Sequence, residues 1–223
     1  MPSVTLHSWL SGQIGRFIEL RRLSGTDYQS QAKLLGYFDR FLLEGRALAR
    51  CKHPNIVDVT DVFEGNGTAY MVLAYEHGQS FKGWLDGLGR RPTQHELDLL
   101  VGPLLDALGF VHAQGLLHRD IAPDNILVRS DGTPCLIDFG ASRQAIAQRS
   151  QVMSAIVKTG YSPPEQYTTD GRSQGPWSDI YAMGAALYPG RAGNAPAEAT
   201  ARTIGDTVAP LANMLPKEAI GTG

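Results

Sequence analysis

Phe41, Leu42, Leu48 and Ala49 recur at helical spacing, and the pattern predicts a helix from about Gln31 to Cys51. His53-Pro54-Asn55 ends it, because the residue before a proline avoids the helical region. Apolar and polar residues alternate from Ile56 to Phe63, as in a half-buried strand. Glu64-Gly65-Asn66-Gly67 is a hairpin turn signal, and Thr68–Tyr75 is the returning strand. His77-Gly78-Gln79-Ser80 breaks the pattern. Thr93-Gln94-His95-Glu96 is a capping-box signature opening a long apolar helix, Glu96–Ala113, which Gly115 stops. Ile126–Val128 and Cys135–Ile137 read as short strands around the turn Ser130-Asp131-Gly132-Thr133. Trp177–Tyr188 reads as a second buried helix, terminated by Pro189-Gly190. From there on Ala, Gly, Pro and Thr dominate, a composition that predicts loose order.

The chain has 223 residues, enough for one sizeable core or two small lobes. Its 43% hydrophobic and 19% charged content is that of an ordinary globular protein, and the net charge of −2 points away from nucleic acid as a partner. The two cysteines, Cys51 and Cys135, match no metal spacing and suit a reducing, cytoplasmic setting better than a disulfide scaffold. No apolar run reaches the ~20 residues of a membrane span. The opening MPSVTLHSWLSG lacks the basic cluster of a signal peptide.

The chemistry is concentrated in His118–Leu127, HRDIAPDNIL, followed by Ile137-Asp138-Phe139-Gly140. The pair resembles the catalytic loop and magnesium-binding turn of the protein kinase family, closest to bacterial serine/threonine protein kinases, over about Phe41 to Ala201. The resemblance implies an α+β, two-lobed fold with a small β-rich N-lobe, here incomplete, and a mainly helical C-lobe. It divides the chain into an unmatched segment 1–30, a partial N-lobe 31–76, a C-lobe 77–205 and a tail 206–223.

It also implies ATP and magnesium as cofactors and transfer of the γ-phosphoryl group to a Ser or Thr hydroxyl of a protein substrate. On that pattern Asp120 meets the substrate hydroxyl, and Asn125 and Asp138 hold the metal. Glu44 stands where the family's helix Glu positions a strand cation. Leu73 matches the gatekeeper; Ala74 and Glu76 would offer backbone groups to an adenine ring, with Leu127 packed beneath it. Leu48, Val59, His118 and Phe139 match the family's column of stacked side chains. Asp179 matches the buried Asp that holds that column, which requires backbone N–H partners. Arg119 marks family members whose activation segment is ordered by phosphate, with Ser142, Ser150 and Ser154 as acceptors here.

The chain departs from the family in four places. No three-glycine loop precedes a strand lysine: Leu10–Gly15 has only two glycines. Lys33 cannot serve if it shares a helix with Glu44, since eleven residues at ~1.5 Å rise separate them by ~16 Å. Arg21 or Arg22, after Phe17-Ile18-Glu19-Leu20, is left as the candidate for the strand position. The usual Lys two residues after the catalytic Asp is Ala122, while Lys158 stands where Thr is usual, which suggests a relocated charge. Finally, the stretch after Glu165 is shorter than a complete C-lobe, which reads as a truncated or reduced lobe. A non-catalytic binding module, a pseudokinase or kinase fragment, is the alternative that these departures favour.

Overall fold

The computed structural model describes residues 8, 11–23, 29–65, 68–139, 158–167, 173–206 and 208. The chain separates into two compact units. The first holds helices α1 (Ser11–Leu23) and α2 (Gln29–Arg50) and the strands β1 (Val59–Gly65) and β2 (Thr68–Leu73). The two strands form an antiparallel hairpin in which Gly65 pairs with Thr68, where the turn signal put it. Helix α2 lies close on this hairpin at Gly45. A Cβ there would come within 2.9 Å of the Met71 side chain, so only a glycine fits without displacement.

Gly12 and Gly15 lie within α1, which agrees with reading Leu10–Gly15 as no phosphate loop. Two other readings are corrected. Arg21 is not on a strand; it is exposed on α1 with its guanidinium over the Phe17 ring at 5.3 Å. Arg22 lies on the same helix. The reason is helical periodicity: Ile14 and Ile18, four residues apart, are both buried and pack with Leu35 and Phe38 of α2. Ile56, which belongs to the second unit, is an isolated bridge to Leu136 and not the start of β1. Lys33 and Glu44 do share α2, as the spacing argument required.

The second unit contains β3 (Gly78–Ser80), α3 (Phe81–Leu88), α4 (Gln94–Ala113), β4 (Ile126–Arg129), β5 (Pro134–Leu136), α5 (Pro176–Ala192) and α6 (Ala199–Arg202). The strands form an antiparallel sheet in the order β3-β4-β5. The segment His77–Ser80 is thus not a simple break: Gly78–Ser80 pairs with Leu127–Arg129. Gly78 permits the approach, since a Cβ there would lie 2.5 Å from the Val128 carbonyl. Ser80 then caps α3, its Oγ accepting from Gly83 N–H at 3.1 Å. Phe81, fully buried and stacked on Trp84 at 5.7 Å, fixes this short helix to the core. Full burial of such a ring contributes about 1.5–3 kcal/mol.

The capping box forms as read. Glu96 N–H donates to Thr93 Oγ at 3.2 Å, and Thr93 N–H donates to Glu96 at 2.7 Å. Arg90 adds a bidentate ion pair at 2.7 and 2.9 Å, which holds the Glu96 carboxyl down at about 2. Leu104, Ala107, Leu108 and Val111 of α4 meet Ile126, Val128 and Leu136 of the sheet and Ala182, Met183 and Ala186 of α5 in one core. Helix α5 runs past Pro189-Gly190 to Ala192 and ends at Gly193, φ 82°, so the proline is accommodated inside the helix. The residues beyond it are ordered through α6, with Arg202 paired to Asp206 and bonded to the Tyr181 hydroxyl.

Arg129 makes a further link within this unit. Its guanidinium donates to both carboxylate oxygens of Glu76, at 2.7 and 2.9 Å, and to the Pro54 carbonyl at 3.0 Å. Pro54 and Glu76 are two of the three residues at which the chain enters this unit from the other one.

Candidate active site

The loop between α4 and β4 carries His118 to Asn125, and a buried carboxylate organises it. Asp179, in the first turn of α5 and 1% exposed, accepts from the backbone N–H of His118 at 2.8 Å and of Arg119 at 2.8 Å. The His112 ring of α4 meets its Oδ2 at 2.8 Å. These are the backbone partners that a buried charge demands. They also hold Arg119 at φ 65°, a left-handed conformation that costs a non-glycine residue about 1–2 kcal/mol. Gln166 adds a fourth tie, donating to the Arg119 carbonyl at 3.0 Å.

His118 is fully buried and tilted against Phe139, ring centroids 4.4 Å apart, so the two lower members of the expected column are in contact. Its Nδ1 accepts from Asp120 N–H at 3.3 Å, which requires a neutral ring. Burial pushes its pKa below the ordinary imidazole value of 6.5, against the opposing charge of Asp179. The unfolded chain therefore takes up the proton first, and this group weakens the fold as pH falls below about 6.5. His118→Phe is expected to flatten the loss of stability between about pH 7.5 and 5.5, measured by urea denaturation at each pH. An unchanged slope in the variant would contradict this account.

Asp120, 6% exposed, is the centre of the polar cluster. Asn125 Nδ2 donates to the Asp120 carbonyl at 2.7 Å and to its Oδ2 at 2.6 Å. Lys158 Nζ stands 3.6 Å from Asp120 Oδ1. Lys158 is set by a turn in which its carbonyl accepts from Tyr161 and Ser162 N–H, while its own N–H donates to Ser162 Oγ. That turn contains Gly160 at φ 85°, where a Cβ would lie 2.8 Å from the Pro196 carbonyl. Ala122, by contrast, is fully buried.

Asp138 is exposed, at φ 57°. Ile137 N–H donates to the Asn125 carbonyl at 3.0 Å, extending the β4-β5 ladder and placing Asp138 one residue from Asn125's partner. With Nδ2 of Asn125 engaged twice, its amide oxygen is the group left to meet a ligand. An amide oxygen and a carboxylate are hard donors that fit a magnesium ion. Leu127 is half-buried between the core residues Ile126 and Val128, on the opposite side of β4.

The remaining predicted residues belong to the first unit, apart from Glu76, which Arg129 clamps in the second. Leu73 pairs with Val59 at the end of β2, and Ala74 N–H donates to the Asp58 carbonyl at 2.7 Å. Glu44 is half-buried on α2. Ser142, Ser150 and Ser154 lie outside the described residues.

The protein kinase domain model matches residues 23–214. The chain belongs to the protein kinase family. Serine/threonine-protein kinase PknA of Mycobacterium tuberculosis is 32% identical over 193 residues, which cover 84% of this chain and 43% of that protein. Serine/threonine-protein kinase PknL of the same species is 34% identical over 161 residues, covering 72% and 40%. The kinase domain thus spans less than half the length of these curated relatives. A solved structure described as "PpkA-294 apo form" matches with a TM-score of 0.70 at 36% identity, over 80% of this chain and 62% of that one. The fold is accordingly the α+β, two-lobed kinase fold with a small, incomplete strand-bearing lobe.

Three contacts of this kinase chain were not read from the sequence. Glu165 accepts from the buried Ser178 hydroxyl at 2.5 Å. Ser178 directly precedes Asp179, so the same helical turn holds both the catalytic loop and the Pro-Pro-Glu segment. Gln166 to Arg119 and Arg129 to Glu76 carried no signal, since each joins residues remote in sequence through one flexible side chain.

Proposed function

We propose that this kinase domain binds ATP with magnesium and transfers the γ-phosphoryl group to a Ser or Thr hydroxyl of a protein. Residues 31–76 and 77–205 serve as its two lobes, with the unmatched segment 1–30 contributing α1 beside α2 and 206–223 as a tail, and the setting that its composition suits is the cytoplasm. The observation that carries this reading is the cluster around Asp120: a buried carboxylate steadied by Asn125, with an ammonium 3.6 Å away.

Asn125 fixes Oδ2, so Asp120 is pre-oriented and its Oδ1 edge meets the incoming hydroxyl. As the hydroxyl oxygen bonds to the γ-phosphorus, the bond to the bridging oxygen of ADP breaks and Asp120 takes the hydroxyl proton. Lys158, beside Oδ1, supplies the positive charge that Ala122 cannot, and it faces the transferring phosphoryl oxygens. Asn125 and Asp138 would hold the magnesium, which neutralises phosphate charge when bound. Leu73, Ala74, Glu76 and Leu127 line the adenine site in this reading, and Glu44 positions a cation.

Lys158→Ala is expected to lower turnover about 100-fold to 1,000-fold with little change in nucleotide affinity, because the charge acts on the transition state. Radiolabel transfer from ATP to a mixed Ser/Thr peptide set, with nucleotide binding by calorimetry, separates the two quantities. Unchanged turnover in this variant would remove Lys158 from the mechanism. The helix at Ser11–Leu23, in place of a glycine loop, favours the second reading, a non-catalytic binding module. A folded wild type with no transfer at any magnesium concentration would decide for it.

A further inference from the structure

A cavity of about 290 Å³ opens in the second unit beside the catalytic loop. Its wall includes Lys82 and Asp86 of α3, Arg90 and Arg91 of the α3–α4 connection, Pro123 and Tyr161. Pro123 is three residues from Asp120, and Tyr161 is three residues from Lys158. Three extended residues span at most about 11 Å. A chain occupying the cavity therefore reaches Asp120 within a few residues.

The cations here are not equivalent. Arg90 is committed to Glu96 by its two-pronged ion pair. Arg91 is held in place without losing its charge: Nη2 donates to the Ala192 carbonyl at 3.3 Å, at the C-terminal end of α5. The guanidinium lies over Gly193, where a Cβ would stand 3.6 Å from Nη2. A guanidinium fixed by one of its five N–H donors presents the rest with little further ordering to lose. Lys82 is exposed on the same wall and has no ion pair among the described residues. Against them stand Asp86 in the wall and Asp124, whose charge, after burial, raises the Tyr161 hydroxyl pKa.

We propose that Arg91, assisted by Lys82, receives an acidic side chain of the phosphoacceptor protein, within about four residues of the acceptor Ser or Thr. The assignment of the occupant rests on the kinase reading; the charge preference of the cavity does not.

Fluorescence anisotropy of labelled Ala-based peptides with a central Ser, scanned with Asp, Ala or Lys at each flanking position, tests it on the full chain. At one or two positions Asp is expected to bind about fivefold tighter than Ala, the effect of one well-placed charged contact. That ratio should fall to about one in the double variant K82A/R91A, rise in Asp86→Asn, and shrink at high salt. Arg91→Lys should recover part of it. Both cationic side chains are on the surface, so circular dichroism should show these variants folded. Equal affinity for Asp and Ala peptides at every position, or tighter binding of Lys peptides, would overturn the proposal. Acid-selective binding without phosphoryl transfer would leave the charge preference standing and overturn the assignment of the occupant together with the kinase reading, whereas transfer without acid selectivity would overturn the proposal and keep that reading.

Discussion

Asp120→Asn is expected to lower phosphoryl transfer about a thousandfold while leaving nucleotide affinity unchanged. The substitution keeps size and one acceptor but removes the carboxylate proposed to take the hydroxyl proton, a role whose loss typically costs 100-fold to 10,000-fold. The buried position sharpens this expectation. Asn125 donates to Asp120 twice, and one of the two bonds ends on the backbone carbonyl, which the substitution keeps. The loop should therefore retain its shape. Asp138→Ala is the matched contrast. It removes the exposed carboxylate proposed for magnesium and is expected to abolish the magnesium-dependent part of nucleotide binding. Calorimetry with and without magnesium, alongside transfer assays, reads both variants. If Asp120→Asn weakened nucleotide binding as much as transfer, the separation of roles would fail.

Asp179→Ala is expected to destabilise the fold by about 3–5 kcal/mol, enough to leave much of the protein unfolded. Three donors converge on this carboxylate: two backbone N–H groups and the His112 ring. Alanine would deprive all three of this partner, the His118 N–H in a fully buried position and the other two in partly buried ones. It would also release Arg119 from φ 65°, which nothing local to an arginine favours. Asp179→Asn provides the measurable case, since one oxygen still accepts while the amide group clashes with a donor. Urea denaturation of that variant should show about half the loss. If both variants stayed within about 0.5 kcal/mol of wild type, the carboxylate would not be the organising group.

Helices α2, α4 and α5, the hairpin and the strands that flank the loop were legible because each rests on local rules, whereas α1 and α3 were not read. The Thr93–Glu96 capping box, the turn before Thr68 and the HRD and DFG segments are set by neighbours in sequence. Asp179 was legible through the family pattern, and the need for N–H partners followed from burial alone. What was missed depends on long-range packing. Strand β3 exists because Gly78 lets its backbone lie against Val128, which no pattern in His77–Ser80 announces. Helix α1 was obscured by Gly12 and Gly15, poor helix formers whose cost is offset by burying Ile14 and Ile18 on α2. Pro189 reads as a terminator, yet α5 continues to Ala192. The closeness of Lys158 to Asp120 was readable only by setting Ala122 and Lys158 side by side, since 36 positions separate them in the sequence.

The Arg129 clamp has a topological side. Residues 57–75 leave the larger unit and return to it, so they form an excursion whose two ends are both fastened by one guanidinium, at the Pro54 carbonyl and at Glu76. The base of such a loop is closed whatever its length. The entropy of closure rises only as the logarithm of the number of residues enclosed. Insertions beyond Gly65, at the far end of the hairpin, therefore add little to that cost. A change at position 129 removes a tie from both ends at once, leaving the first held by the Leu136 N–H on the Asn55 carbonyl and the second by the pairing of β3 with β4. Variation within a lineage of such chains is thus cheap at the tip of the excursion and costlier at the one residue on β4 that serves both of its ends.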